Sequence, residues 1–112
     1  MATVEQCRAA IESLSAQMQR EQGGSRAAAG LDRTISVTVP DLDVVFSGRL
    51  HEARIDGLTT DPAPKAQIRL RAASDDLVAL VNGELPFASA WSSGRVKVEA
   101  SIGDLFKLRS LL

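Results

Sequence analysis

The first apolar pattern along the chain has the period of a helix. Between residues 3 and 22, apolar side chains recur every three or four positions, at Val4, Cys7, Ile11, Leu14 and Met18. Side chains with this spacing share one helix face, so the segment is predicted to be an amphipathic helix with one buried face. Thr3 and Gln6 match a capping box at its start, and Gly-Gly-Ser at 23–25 is predicted to end it.

The pattern then changes to the two-residue period of β-strands. Apolar residues alternate with Ser and Thr from Arg33 to Val39, which predicts a half-buried strand that Pro40 stops. Residues 42–57 also have strand character, but they allow two interpretations. Val44, Phe46 and Leu50 indicate one strand, and Ala53 and Ile55 indicate another. The two interpretations concern Ser47-Gly48, which is either a turn or a bulge between them.

The second half of the chain mixes strands and short helices. A loop at 61–64 precedes a strand at 65–72, whose apolar residues alternate with Lys65, Gln67, Arg69 and Arg71. Ser74 is predicted to cap a short helix over 75–82 that Gly83 ends, and a second short turn or helix is predicted from Pro86 to Ser92. A last strand at 96–100 and a last helix from about Ile102 follow.

This order of elements is typical of an α+β fold. We expect a mainly antiparallel sheet of about five strands with helices packed on one face. The 112 residues suffice for one hydrophobic core and are too few for two, so a single domain over 1–112 is predicted. The chemistry of such a domain is expected between its two layers.

Charge and composition exclude several classes of protein. The chain has 13 Lys and Arg against 14 Asp and Glu, which is not the charge of a general nucleic-acid binder. Cys7 is the only cysteine, so the sequence offers no disulfide framework. Polar residues interrupt any N-terminal signal segment, and the longest aliphatic run, 77–81, is too short to span a bilayer. We therefore expect a cytoplasmic protein.

The last third of the chain carries an ordered set of features. An acidic helix start precedes a Leu-rich turn, a Gly-x-Leu hinge lies within 82–85, and an Ala-rich segment ends in Ser-Gly-Arg at 93–95. An alternating strand and a Leu-rich closing helix complete the set. Residues 75–112 thereby resemble the C-terminal half of the sterol carrier protein type 2 (sterol-transfer) family, above all its small bacterial members. Ala100 replaces a common glycine, and the chain lacks a Ser-Lys-Leu ending, so a peroxisomal carrier is not expected.

The resemblance implies an apolar tunnel between the sheet and the C-terminal helices, for a fatty acid, an acyl-CoA or a sterol-like lipid. It implies non-catalytic binding or transfer without a cofactor. The apolar residues expected to bind the ligand are Phe46, Leu77, Leu80, Val81, Leu85, Phe87, Trp91, Leu105, Phe106, Leu108 and Leu112.

The apolar pattern of the last helix independently indicates a surface that another group must cover. Its six apolar residues from Ile102 to Leu112 spread over more than half of its circumference, which is wider than one sheet needs. Another helix, a second subunit or a ligand could cover the surplus. The alternative function is therefore a protein-interaction or dimerisation module of the same fold, in which Leu108, Leu111 and Leu112 meet a homodimer or enzyme partner.

The only tryptophan has two interpretations. Trp91 follows Phe87 by four residues, so in a helix the two side chains would share a face and form an aromatic wall. Trp91 either fills a gap in the core or lies at the rim of an apolar site with its N–H toward water. We prefer the rim.

Catalysis and metal binding find little support in the residues. His51 is the only histidine, there is no tyrosine, and Cys7 lies on the buried helix face, so no nucleophile with a positioned base can be assembled. Asp75 and Asp76 are explained by the positive end of the helix dipole. A lone histidine and scattered acids do not make a metal site. An enzyme acting on an apolar substrate is therefore the last of the three hypotheses.

A stripe of basic residues offers one further possibility. Lys65, Arg69 and Arg71 alternate outward on one predicted strand, and Arg95 and Lys97 lie nearby if the last strand is its neighbour. A solvated sheet face is the simpler interpretation. The alternative is transient docking to an anionic membrane surface during lipid delivery.

Overall fold

The computed structural model describes residues 2–22, 32–52 and 54–111, and their side chains except at 21, 22 and 107–111. Within these residues the helices are α1 (Val4–Gln22), α2 (Ser74–Val81), α3 (Phe87–Ser92) and α4 (Ile102–Leu111). The strands are β1 (Asp32–Val39), β2 (Val44–His51), β3 (Arg54–Thr59), β4 (Ile68–Ala72) and β5 (Val96–Glu99). A single 3₁₀ turn, Pro40–Leu42, joins β1 to β2. The α+β prediction is confirmed.

The strands form one mixed sheet in the order β3-β2-β1-β4-β5. Three of its four strand pairs are antiparallel, as predicted, and the central pair of β1 and β4 is parallel. The parallel pair exists because residues 60–67 carry the chain from the edge strand β3 past β2 and β1 to the far side of β1.

One face of the sheet carries the core. Ile35, Val37 and Val39 on β1 are buried, and the register sets Val37 beside Phe46 of β2 and Leu70 of β4. Helix α1 covers these rows with the side chains that its periodicity predicts to be buried, namely Cys7, Ile11 and Met18. Its capping box is confirmed, because the Thr3 N–H donates to Gln6 Oε1 at 2.8 Å and the Gln6 N–H donates to Thr3 Oγ1 at 3.1 Å.

The ambiguous segment after Pro40 forms two strands whose turn follows His51. Gly48 lies inside β2, where the register with β3 shifts between Ser47 and Arg49, so the bulge interpretation is confirmed. A Cβ at Gly48 would lie 2.8 Å from the carbonyl oxygen of Asp56, which is why glycine is needed at this close approach. Ala53, predicted to begin the second strand, lies outside the described residues.

The predicted start of β4 and the predicted cap of α2 are wrong. Strand β4 begins at Ile68 instead of Lys65. Ser74 does not cap α2, because it is the first helical residue, and its hydroxyl and N–H donate to the two carboxylate oxygens of Asp41 at 2.5 and 2.9 Å. The carboxylate of Asp41, on the 3₁₀ turn, therefore accepts the hydrogen bond of a backbone N–H at the start of α2. The hydrogen bond from the Ser74 hydroxyl has the largest effect on the pKa of Asp41, and together with the bond from the Ser74 N–H it lowers that pKa.

Candidate functional site

An apolar cavity of about 220 Å³ lies between the buried face of the sheet and the helices. Its floor comes from three strands: Val37, Leu70, Ala72 and Val96. Its walls come from α1, α2 and the segment that follows α2: Leu14, Gln17, Met18, Leu77, Leu80, Gly83, Leu85, Pro86 and Phe87. Of the described lining residues, all except Gln17 and Gly83 carry an apolar side chain, so the cavity is suited to an apolar ligand.

The cavity exists because the helical layer is interrupted above a small residue. Ala72 on β4, the register partner of Val96 on β5, has the smallest side chain among the floor residues and so leaves space above the sheet. On the helical side of the cavity, α2 ends after eight residues, and the left-handed Gly83 (φ 78°) turns the chain before Pro86 precedes α3. Two short helices separated by a turn leave the gap that one long helix would close.

Among the described residues, Gln17 supplies the only polar side chain in this lining. Its Nε2 donates to the carbonyl oxygen of Val81 at 3.3 Å and so links α1 to the last turn of α2. Backbone N–H groups of residues 82–85 bond the carbonyls of Val78, Ala79 and Leu80 in that turn, and Gln17 supplies a donor for the next carbonyl, that of Val81. The carboxamide therefore lies where an otherwise apolar ligand could place a polar end.

The structure brings four of the predicted ligand residues together. Leu77, Leu80, Leu85 and Phe87 line the cavity. Val81 packs against the core beside them, and its carbonyl accepts the Gln17 hydrogen bond.

Other predicted ligand residues lie elsewhere in the described part of the chain. Phe46 is fully buried in the core, with the Arg8 guanidinium carbon 5.6 Å from its ring centroid, and it does not line the cavity. The predicted aromatic pair is confirmed, since the rings of Phe87 and Trp91 meet edge to face with centroids 5.6 Å apart. Trp91 is half-buried and, within the described lining, reaches the cavity only through Phe87.

Helix α4 is oriented differently from the prediction. Ile102 is 75% exposed and Phe106 is 68% exposed, whereas Asp104 is 6% exposed and Leu105 is half-buried. Asp104 faces the protein because its Oδ2 accepts from Nε of Arg33 at 3.1 Å, and Arg33 lies on the inner face of β1. The described part of α4 contributes nothing to the cavity lining. The side chains of Leu108 and Leu111, and all of Leu112, lie outside the described residues.

The sequence predicts several lining residues only as core. Leu14, Met18, Val37, Leu70 and Ala72 follow the helical and strand periods, which identify a buried face but give no sign of a void beside it. Gln17 carries no sequence signal, because one polar residue beside an apolar helix face is common.

The remaining reactive groups lie apart from the cavity. Cys7 is fully buried, and its burial raises the pKa of the thiol. His51 bonds Asp56 across the β2–β3 pair on the other face of the sheet. Among the described residues, no three His, Cys, Asp or Glu side chains form a group that could hold a metal ion. Within the same part of the chain, no helix is both long and apolar enough to cross a bilayer.

A five-stranded mixed sheet with helices on one face and an apolar cavity between the layers is an architecture suited to carrying a small apolar molecule. The family model described as the SCP-2 sterol transfer family matches residues 11–112. The chain belongs to this family, which is generally a non-catalytic lipid-transfer domain.

Solved structures share the fold. The sterol carrier protein domain 2 of Helicoverpa armigera has a TM-score of 0.74 and 17% identity, over 98% of this chain and 89% of that one. Palmitated SCP2L2 from Aedes aegypti has a TM-score of 0.63 and 16% identity, over 98% of this chain and 94% of that one.

A larger enzyme contains a similar unit. The stereoselective inverting sec-alkylsulfatase Pisa1 from Pseudomonas sp. has a TM-score of 0.58 and 21% identity, over 81% of this chain. The chain spans only 14% of the length of that sulfatase. No curated protein shows significant sequence similarity to the chain.

Proposed function

We propose that this protein binds and transfers an apolar ligand in the cavity between the sheet and helices α1 to α3. The observation that carries the proposal is the lining, in which every side chain that the structure describes, apart from that of Gln17, is apolar. Membership of the SCP-2 sterol transfer family supports it. The proposed ligand is a fatty acid, an acyl-CoA or a sterol-like lipid.

The size of the cavity favours a narrow chain among these ligands. Its volume of about 220 Å³ is below the roughly 300–1,000 Å³ of common ligand pockets. A flexible acyl chain can thread such a space, whereas a rigid ring system needs a wider one. Each buried methylene contributes ~0.8 kcal/mol, so about ten of them approach the ~8 kcal/mol of micromolar affinity before association costs.

Gln17 gives the ligand an orientation. Its carboxamide already bonds Val81 at the end of α2, so the carboxyl end of a fatty acid placed here would meet a hydrogen-bonding group. The hydrocarbon end would then lie against Leu77, Ala72 and Val96, deeper in the protein.

The first experiment is native mass spectrometry of freshly purified protein, followed by organic extraction and lipid identification. A retained fatty-acid mass that is absent after extraction is expected. Binding of a fluorescent fatty acid is then compared between Leu85→Trp, which fills the cavity, and Leu58→Trp, which changes a half-buried leucine of β3 outside the lining.

We expect Leu85→Trp to weaken binding at least about tenfold, because the indole displaces two or more methylenes of the ligand. Leu58→Trp should bind like the wild type, and circular dichroism should show that both variants fold. A wild-type protein that binds no fatty acid, or an indole at 85 without effect, would contradict the proposal.

The second candidate is a dimerisation module. It is favoured by the exposure of Ile102 and Phe106 on the same side of α4. Sedimentation at several protein concentrations distinguishes the two, because a monomer with bound lipid supports the carrier and a lipid-free dimer supports the module.

A further inference from the structure

Side chains on the face of the sheet opposite the cavity form rows across the strands. In one row, Val45, Thr38, Arg71 and Lys97 are successive register partners on β2, β1, β4 and β5. In the adjacent row the partners are Ser47, Ser36, Arg69 and Glu99. The first row therefore ends in two neighbouring cations, whereas the second ends in a cation and an anion.

Three arginines on this face are paired with carboxylates, unlike the two cations of the first row. Arg49 pairs with Asp32, Arg54 pairs with Asp56, and Arg69 pairs with Glu99 at 3.2 Å. Arg71 and Lys97 are both exposed, and neither forms an ion pair or a side-chain hydrogen bond with any described residue. Like charges directly opposite each other destabilise a strand pair, so an anion bound between Arg71 and Lys97 would relieve this repulsion.

Protection of the sheet edge explains Lys97 but not Arg71. Lysine on a short edge strand such as β5 discourages strand pairing with another molecule. Arg71 lies on β4, which has a strand on each side, so it has no edge to protect. One row away, the same two strands carry the complementary pair Arg69 and Glu99, so the strands can place opposite charges together.

A groove of about 150 Å³ accompanies the two cations. It is lined by Thr38, Arg69, Leu70, Arg71, Lys97 and Glu99. The charge of Glu99 is offset by Arg69, which leaves the guanidinium of Arg71, the ammonium of Lys97 and the hydroxyl of Thr38 as binding groups.

We propose that this groove is a binding subsite for a phosphate monoester. Two cations balance a dianion, whereas a carboxylate would balance only one of them, and the threonine hydroxyl can donate to a third oxygen. The phosphate could belong to a lipid headgroup or to a free phosphate ester. Because the groove and the cavity lie on opposite faces of the sheet, both can be occupied at once.

Methyl phosphate is the probe for the subsite. It is titrated at constant ionic strength into ¹⁵N-labelled protein, with methyl sulfate as the monoanionic comparison. The backbone amides of Thr38, Arg71 and Lys97 should shift saturably with methyl phosphate and much less with methyl sulfate. Shifts that are absent, or equal for the two anions, would overturn the proposal.

Charge-neutral variants locate the binding groups. Arg71→Gln and Lys97→Gln should each weaken methyl phosphate binding about two- to fivefold, as expected for exposed ion pairs. Lys65→Gln is the matched control, because it removes one exposed cation outside the groove. Equal losses in all three variants would indicate a diffuse charge effect and would refute the subsite.

Vesicles distinguish the two sources of phosphate. Phosphatidylcholine vesicles containing phosphatidic acid, a monoester, are compared with vesicles of matched surface charge containing phosphatidylglycerol, a diester. Co-sedimentation that prefers phosphatidic acid and is lost in Arg71→Gln assigns a lipid headgroup. Methyl phosphate binding without that preference assigns a free phosphate ester, and the absence of both refutes the subsite. Fatty-acid binding should be unchanged in these variants, so the carrier proposal is tested separately.

Discussion

Replacing Asp104 tests whether one ion pair holds the last helix against the sheet. The Asp104 carboxylate lies 3.1 Å from Arg33 Nε, and the two side chains are 9% and 30% exposed. The Arg33 guanidinium also donates to the Asp32 carbonyl at 2.8 Å, so it keeps one partner when the carboxylate is removed. Asp104 additionally belongs to the first turn of α4, where its N–H donates to the hydroxyl of Ser101 at 3.2 Å.

The burial of the pair sets the size of the effect. Removing one partner of a fully buried pair costs about 3–5 kcal/mol, and a hydrogen bond to a charged group contributes about 1.5–3 kcal/mol. Arg33 is partly exposed and retains one bond, so we expect Asp104→Ala to lower the free energy of unfolding by about 2–3 kcal/mol. For a domain of this size that corresponds to roughly 8–12 °C in Tm.

The assay is a double-mutant cycle by urea denaturation. Arg33→Met, Asp104→Ala and the double variant are compared with the wild type by far-UV circular dichroism. The double variant should lose at least about 1 kcal/mol less than the sum of the single losses, because the second change removes a charge that the first leaves unpaired. Losses that add within about 0.3 kcal/mol would refute the idea that this pair fixes α4.

Three further predictions test the rest of the fold. Asp41 has a lowered pKa in the folded protein, so the stabilisation it provides is present above its ordinary pKa of 3.8 and is lost as the pH falls through the lowered value. Asp41→Asn should therefore make the free energy of unfolding depend less steeply on pH in that range. An unchanged slope would contradict this. Cys7 is fully buried with a raised thiol pKa, so iodoacetamide should alkylate it only after unfolding in urea, as mass spectrometry can show. Gly48→Ala should cost about 1–3 kcal/mol in urea denaturation, because its Cβ would meet the Asp56 carbonyl oxygen, and an unchanged midpoint would argue against this contact.

The sequence predicts those elements whose signals are local. The capping box at Thr3 and Gln6, the alternation in β1 and the glycine that ends α2 each depend on residues a few positions apart. Ser74 shows where this fails. Its type and position match a helix cap, but Asp41, 33 residues earlier in the chain, binds the start of α2 instead.

The orientation of α4 could not be predicted either, because it also depends on a partner that is distant in the sequence. A helical wheel of this segment gives a broad apolar arc and no strong preference for one side. Asp104 turns inward because Arg33, 71 residues away, lies on the buried face of β1 and needs a partner. That rotation turns Ile102 and Phe106 outward.

The cavity could not be predicted from the periodicity of the sequence. Ile11 and Leu14 follow the same helical period, yet Ile11 is packed in the core and Leu14 borders empty space. Periodicity reports which side of an element is buried, whereas a void depends on how well two layers fill the space between them. Here the turn at Gly83 and the small side chain of Ala72 leave that space unfilled, and neither residue is unusual by itself.

The proposed phosphate subsite depends on the register of the strands, which the alternation of apolar and polar residues does not specify. Alternation predicts that Arg71 and Lys97 point away from the core, but it does not say which residues are their neighbours. If β4 paired with another strand, Thr38 would not lie beside Arg71; if β5 were shifted by two residues, Arg71 would face Arg95 or Glu99 instead of Lys97. The parallel pairing of β1 with β4 and the antiparallel pairing of β4 with β5 together bring a hydroxyl and two cations into one row. A basic stripe that the sequence explains as a solvated face thereby becomes a localised site with its own test.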